Sequence, residues 1–189
     1  MLGFVPQHQP TYLSLHILFI RLKPMRNFLD KLYLGAGMLA GLFIVLITLM
    51  ILAQIIGRWF GVLIPSTEDF AGFFLAAATF LALAYTFRMG GHIRVTILVH
   101  LLKGNLQKVS LALALIVFII MVAYGTYHTG AFVYESWSFH ELSQGYIPVP
   151  LWIPQLAMLL GLLIFLIALI DDLVLVLSGN IPTFVGLEE

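Results

Sequence analysis

Four long stretches without a single Asp, Glu, Lys or Arg constrain this chain more than any other feature. Residues 32–57 form the first, closed by Lys31 and Arg58. Residues 70–87 form the second, between Asp69 and Arg88, and residues 109–134 the third, between Lys108 and Glu135. The fourth covers 142–170, where prolines at 148, 150 and 154 push the helix start to about residue 150. A membrane-crossing helix needs about 20 apolar residues. Hydrocarbon offers no hydrogen bonds, so each run must satisfy its own backbone as a helix. The apolar–polar alternation of a barrel strand is missing. The expected fold is an all-α integral membrane protein with four transmembrane helices in a four-helix bundle. The spans are expected at about 33–56, 70–87, 109–133 and 151–172. Residues 1–31 then form an N-terminal segment, 32–178 the membrane domain and 179–189 a C-terminal tail.

Composition leaves little room for a soluble alternative. The chain is 61% hydrophobic and 10% charged, with a mean hydropathy of +1.06, whereas an ordinary soluble domain is about 25% charged. Nine basic and nine acidic residues cancel, so nucleic acid is not an expected partner. The absence of cysteine removes disulfides, thiolate metal sites and Cys nucleophiles together.

Sidedness follows from the basic residues. Arg21, Lys23, Arg26 and Lys31 precede the first span, and Arg88, Arg94, Lys103 and Lys108 lie between the second and third. Only Arg58 lies on the other side. Basic loops stay in the cytoplasm, so both termini are expected inside. The short apolar patch at 12–20 precedes the basic cluster and no small-residue cleavage site follows, unlike a signal peptide. Residues 11–31 therefore read as an interfacial segment with Arg21, Lys23 and Arg26 facing headgroups. In the inner loop, His92, Thr96, His100 and Lys103 make one helical stripe, with Ile93, Ile97, Leu98, Leu101 and Leu102 opposite. That pattern predicts a short amphipathic cytoplasmic helix whose interface residues are Arg88, His92, Arg94 and Lys103.

Ionisable residues inside a span mark ion or proton paths, and none lies at mid-span here. Asp171 and Asp172 come about 20 residues into the fourth helix, roughly 30 Å along, which places them at the far interface. Gln54 and Thr79 read as hydrogen-bonding to a neighbouring helix or to backbone. Broken helices and inverted repeats, which usually build a transport site, are missing from the pattern. His92 and His100 are two turns apart, and neither His128 nor His140 faces a partner at matching depth. No metal, haem or other cofactor is expected, no catalytic residue stands out, and the chain does not read as an enzyme. What it offers is surface for other helices: the small-residue pairs Gly37/Gly41 and Gly72/Ala76 allow close backbone approach. The outer loops differ. Pro65-Ser-Thr-Glu-Asp69 reads as a helix start capped by Ser66 or Thr67, with its acids near the positive dipole end. Residues 135–152 carry Trp137, Phe139, Tyr146 and Trp152, which fit an interfacial belt, and a proline-rich lead-in to the fourth helix.

Four motifs, taken in order, resemble one family. They are Gln54-Ile-Ile-Gly-Arg-Trp-Phe-Gly61, Glu68-Asp-Phe-Ala71, Phe87-Arg-Met-Gly-Gly-His-Ile-Arg-Val95 and the Pro-x-Pro-x-Trp-Ile-Pro lead-in at 148–154. Over roughly residues 28–178 the chain resembles the DctQ-type small membrane subunit of tripartite ATP-independent periplasmic (TRAP) transporters. It departs at Thr96, where members often carry Asp, and at Ala76-Ala-Ala78, where they often carry Gly. The resemblance implies a multi-pass subunit of the bacterial inner membrane with three partners: a large DctM-type membrane subunit, a periplasmic substrate-binding protein and phospholipid. It implies that the sodium and substrate sites reside in the large elevator subunit, which this chain would scaffold. Arg58, Glu68, Asp69, Trp137, Tyr146 and Trp152 then become docking candidates. The rival readings are an accessory subunit of a tricarboxylate-type tripartite transporter and a haem-bearing four-helix redox subunit.

Overall fold

A computed structural model describes residues 11–89 and 105–178, which form four helices. These are α1 (Thr11–Trp59), α2 (Thr67–Arg88), α3 (Asn105–Ser138) and α4 (Trp152–Leu177). All four are long and apolar enough to cross a membrane. Each takes up one charge-free run, the fourth beginning at Trp152 with Pro154 in its first turn, where a missing N–H costs nothing. The expected amphipathic helix with His92, Arg94 and Lys103 lies outside the described residues, as do residues 1–10 and the tail at 179–189.

The first helix is longer than a span. Its 49 residues extend about 74 Å at 1.5 Å per residue, against about 40–45 Å for a bilayer with its headgroups. The backbone passes residue 31 uninterrupted, so the segment expected along the membrane surface and the first span are one helix.

Two helices end in the same device. Gly61, at φ 69°, donates its N–H to the Arg58 carbonyl at 3.2 Å, and Val62 donates to Gly57 at 2.8 Å. At the end of α3, His140, at φ 54°, donates to Trp137 at 3.3 Å, and Glu141 donates to Ser136 at 3.0 Å. Both are left-handed terminal residues that satisfy orphan carbonyls of the last turn.

The helices form an open row in the order α1, α2, α4, α3 instead of a closed ring around one axis. α1 packs on α2, α2 on α4 and α4 on α3, and among the described residues α3 packs against neither α1 nor α2. Burial follows this order: 39% of the α4 span window is buried inside the chain but only 6% of the α1 window. Where helices meet, small residues let them. A Cβ on Gly161 would collide with the backbone of Phe80 and come within 2.8 Å of the Leu81 nitrogen. One on Gly37 would come within 2.7 Å of the Tyr85 ring. Ala77, Ala78, Leu81 and Ala84 of α2 and Ala168 and Leu169 of α4 are buried in these contacts. Lipid removes most of the hydrophobic drive for helix association, so this close packing is what holds the row together.

The buried core sits toward the basic end of the row. Tyr33, Ala84, Phe87, Leu111, Leu115, Phe165, Leu169 and Val176 form one cluster there, with the rings of Phe87 and Phe118 edge-on to Phe165 at 5.7 and 6.0 Å. Thr79, mid-way along α2, donates its hydroxyl to the Leu75 carbonyl of its own helix at 2.8 Å.

Candidate functional site

At the basic end, charges from three helices converge on Arg88, the residue at which α2 stops. Its Nη1 donates to Asp171 Oδ2 of α4 at 3.0 Å, and Asp172 Oδ1 lies 4.0 Å away. Its Nη2 donates to Asp30 Oδ1 of α1. The guanidinium also lies over the Tyr33 ring, 4.9 Å from its centroid. The Arg88 side chain is only 12% exposed and Asp172 is fully buried. Screening by water is therefore weak, and charge-assisted bonds there are worth more than surface pairs. The planar fork suits the task, because two of its nitrogens can reach two different helices at once. Chemically the arrangement is a clamp that ties α1, α2 and α4 together at one depth.

The opposite end is organised by the loop between α3 and α4. Leu142 and Pro150 form an isolated antiparallel bridge, flanked by Ser143 N–H to Val149 O at 2.8 Å and Leu151 N–H to Glu141 O at 3.0 Å. The Ser143 hydroxyl also accepts from the Val149 N–H at 3.0 Å. At the base, the buried Ser136 hydroxyl donates to the Glu141 carboxylate at 2.7 Å. This narrow loop lies across the start of α2. Ser66 Oγ accepts the Ile147 N–H at 2.8 Å, and a Cβ on Gly145 would collide with the Asp69 carboxylate. Neither Ser66 nor Thr67 caps α2, contrary to expectation. Ser66 is left-handed at φ 58° and its hydroxyl serves the loop, while Thr67 donates to the Ile64 carbonyl at 3.1 Å. Glu68 and Asp69 remain in the first turn, where the helix dipole favours them.

The residues singled out by sequence fall into distinct places. Arg58, Glu68, Trp137 and Tyr146 are exposed on the rim at the loop end, while Asp69 and Trp152 are half-buried beneath or beside the loop. Gly37 packs against α2, Ala76 is half-buried, and Gly41 and Gly72 face open space with no atom of the chain in reach. Arg88, expected in the cytoplasmic interface helix, is instead the last residue of α2 and is bound by carboxylates. Sequence reading overlooked Asp30 and Asp171 as its partners, although one cation and three acids at the same depth of three spans were a usable signal. It also overlooked Gly161 and Gly145, which no motif marks. Among the described residues no set of three His, Asp or Glu gathers as a metal ligand group.

A family model described as the DctQ component of tripartite ATP-independent periplasmic transporters matches residues 47–179, well over half of the chain. The match takes in α2, α3, α4 and residues 47–59 of α1, together with Arg88, Asp171 and the loop that crosses α2. No curated protein gives a match.

Proposed function

The chain belongs to the DctQ family of tripartite ATP-independent periplasmic transporters, and from that premise we propose that it scaffolds the large elevator subunit of a sodium-coupled, binding-protein-dependent transporter. It is a component of a transporter of this class and a multi-pass protein of the inner membrane. In this reading both termini are cytoplasmic, because the basic residues gather at that end. The helical residues 11–31 extend α1 beyond the membrane there, and Arg26 and Lys31 meet phospholipid headgroups. The large DctM-type subunit packs along the row and the substrate-binding protein meets the loop end at Arg58, Glu68, Trp137 and Tyr146, with Asp69 and Trp152 supporting that surface. The role is non-catalytic, the sodium and substrate sites belonging to the large subunit.

The observation that supports the scaffold most is the open row itself. A closed bundle would be complete in lipid, whereas here, among the described residues, α1 packs mainly on α2 and α3 on α4 alone, and both leave broad apolar flanks. The test is a mild-detergent pull-down of the tagged chain from its native membrane, followed by mass spectrometry. Recovery of a much larger polytopic protein in roughly equal amount is expected. Recovery of the chain alone, or with a haem-bearing complex that absorbs visible light, would overturn the reading.

A further inference from the structure

The link between α1 and α2 exposes its apolar side chains instead of hiding them. Trp59 is 79% exposed, Phe60 78% and Leu63 84%, with Val62 and Ile64 also exposed. A soluble loop of this length would be polar, with turn residues. The link is held in a defined shape by the Gly61 turn, where a Cβ on Gly57 would come within 2.8 Å of the Val62 carbonyl. The helix that feeds it is bare as well. Tyr33, Ala36 and Ala40 are buried, but no residue of α1 beyond Ala40 is. Phe43, Leu46, Ile47, Met50, Gln54 and Gly57 are half-buried in one stripe, with the Phe43 ring 5.5 Å from that of Phe74 in α2, and away from that stripe Leu42, Ile44, Val45, Leu49, Leu52 and Ile55 are exposed.

We propose that residues 59–64 form a membrane anchor, seated at the headgroup–acyl boundary of the leaflet at that end. Three features select lipid over a second protein. Away from α2 the outer part of α1 is exposed over about half of its circumference, a broader arc than one partner helix would cover. The anchor continues that lipid-facing surface directly. Within the described residues the backbone N–H groups of Leu63 and Ile64 have no acceptor, so their surroundings must supply polar atoms beside apolar ones. Hydrocarbon cannot do this, whereas the interface can, and Trp and aromatic side chains favour that depth. The anchor also has a mechanical role. At the basic end α1 is fixed by the buried Tyr33, Ala36 and Ala40, and the wedge at 59–64 fixes its other end, where no residue of α1 is fully buried.

The absence of cysteine makes the test direct. Phe60→Cys and Leu63→Cys, with Tyr146→Cys as reference, are each nitroxide-labelled in the full chain and reconstituted into phosphatidylcholine vesicles. Relaxation by oxygen should exceed relaxation by an aqueous nickel chelate at 60 and 63, with the reverse at 146. A second measurement avoids the label: in a Trp137→Phe/Trp152→Phe chain, Trp59 emission should be quenched by phosphatidylcholine brominated high in its acyl chains and scarcely by acrylamide. Preferential access of the nickel chelate or of acrylamide to this loop would overturn the proposal. Protection from both reagents would overturn it too, since that would mean a protein cover.

Discussion

Gly161 and Gly41 both sit in transmembrane helices, yet a methyl group has opposite consequences at the two. At 161 it meets the backbone of α2, which cannot rotate out of the way. Gly161→Ala should lower the stability of the purified chain by about 1–3 kcal/mol, the usual cost of overpacking, read as an earlier transition on heating in detergent. Gly41→Ala and Gly72→Ala meet nothing and should leave the isolated chain unchanged or more stable by about 0.5–1 kcal/mol, through the cost of glycine in a helix. A loss of large-subunit recovery from either variant would mark its face as the scaffold contact. Arg88→Gln removes the cation while leaving Asp171 and Asp172 in place. Removing one member of a buried pair costs about 3–5 kcal/mol. The half-exposed Asp30 contributes little, so a loss near the lower bound is expected in the same melting assay. The small-xxx-small spacing was legible in the sequence, but it does not say which glycine has a neighbour. Contact depends on helix rotation, which spacing within one helix leaves open.

At the scale of the element, the helix ends depart most from expectation. α2 begins with the right residue types for a capping serine, yet Ser66 spends its hydroxyl on the loop after α3. A local rule lost to a contact 81 residues away in sequence. Ser66→Ala should therefore loosen the 142–150 loop, seen as faster amide exchange at Ile147, more than it frays the start of α2. The two left-handed helix ends differ in side chain alone. An L-residue in that region costs about 1–2 kcal/mol, so Gly61→Ala should destabilise the chain. His140→Gly should stabilise it by somewhat less than that, since it forfeits the 3.2 Å contact of the ring with the Ser138 carbonyl. Thermal unfolding in detergent of the two variants side by side checks both signs. The proline-delayed start of α4 was readable because a missing N–H acts locally. The cap was not, because its competitor is tertiary.

For the whole molecule, the sidedness argued from Lys and Arg makes its own prediction. Single cysteines replacing Glu68 or Tyr146 should react with an impermeant maleimide added outside right-side-out vesicles, and cysteines replacing Lys31 or Lys108 only after lysis. The reverse pattern would invert the topology. Residue order and hydropathy alone are enough to read off four apolar helices and the family to which they belong. Each of those depends on one residue at a time meeting a solvent whose polarity changes with depth, or on short motifs read in order. The open row, the central place of α2 and α4 in it, and the gathering of Asp30 and Asp171 on Arg88 come from packing. Neighbour choice in lipid rests on shape, on where one backbone can approach another. Hydropathy is nearly the same on every face of these helices and carries no record of that choice.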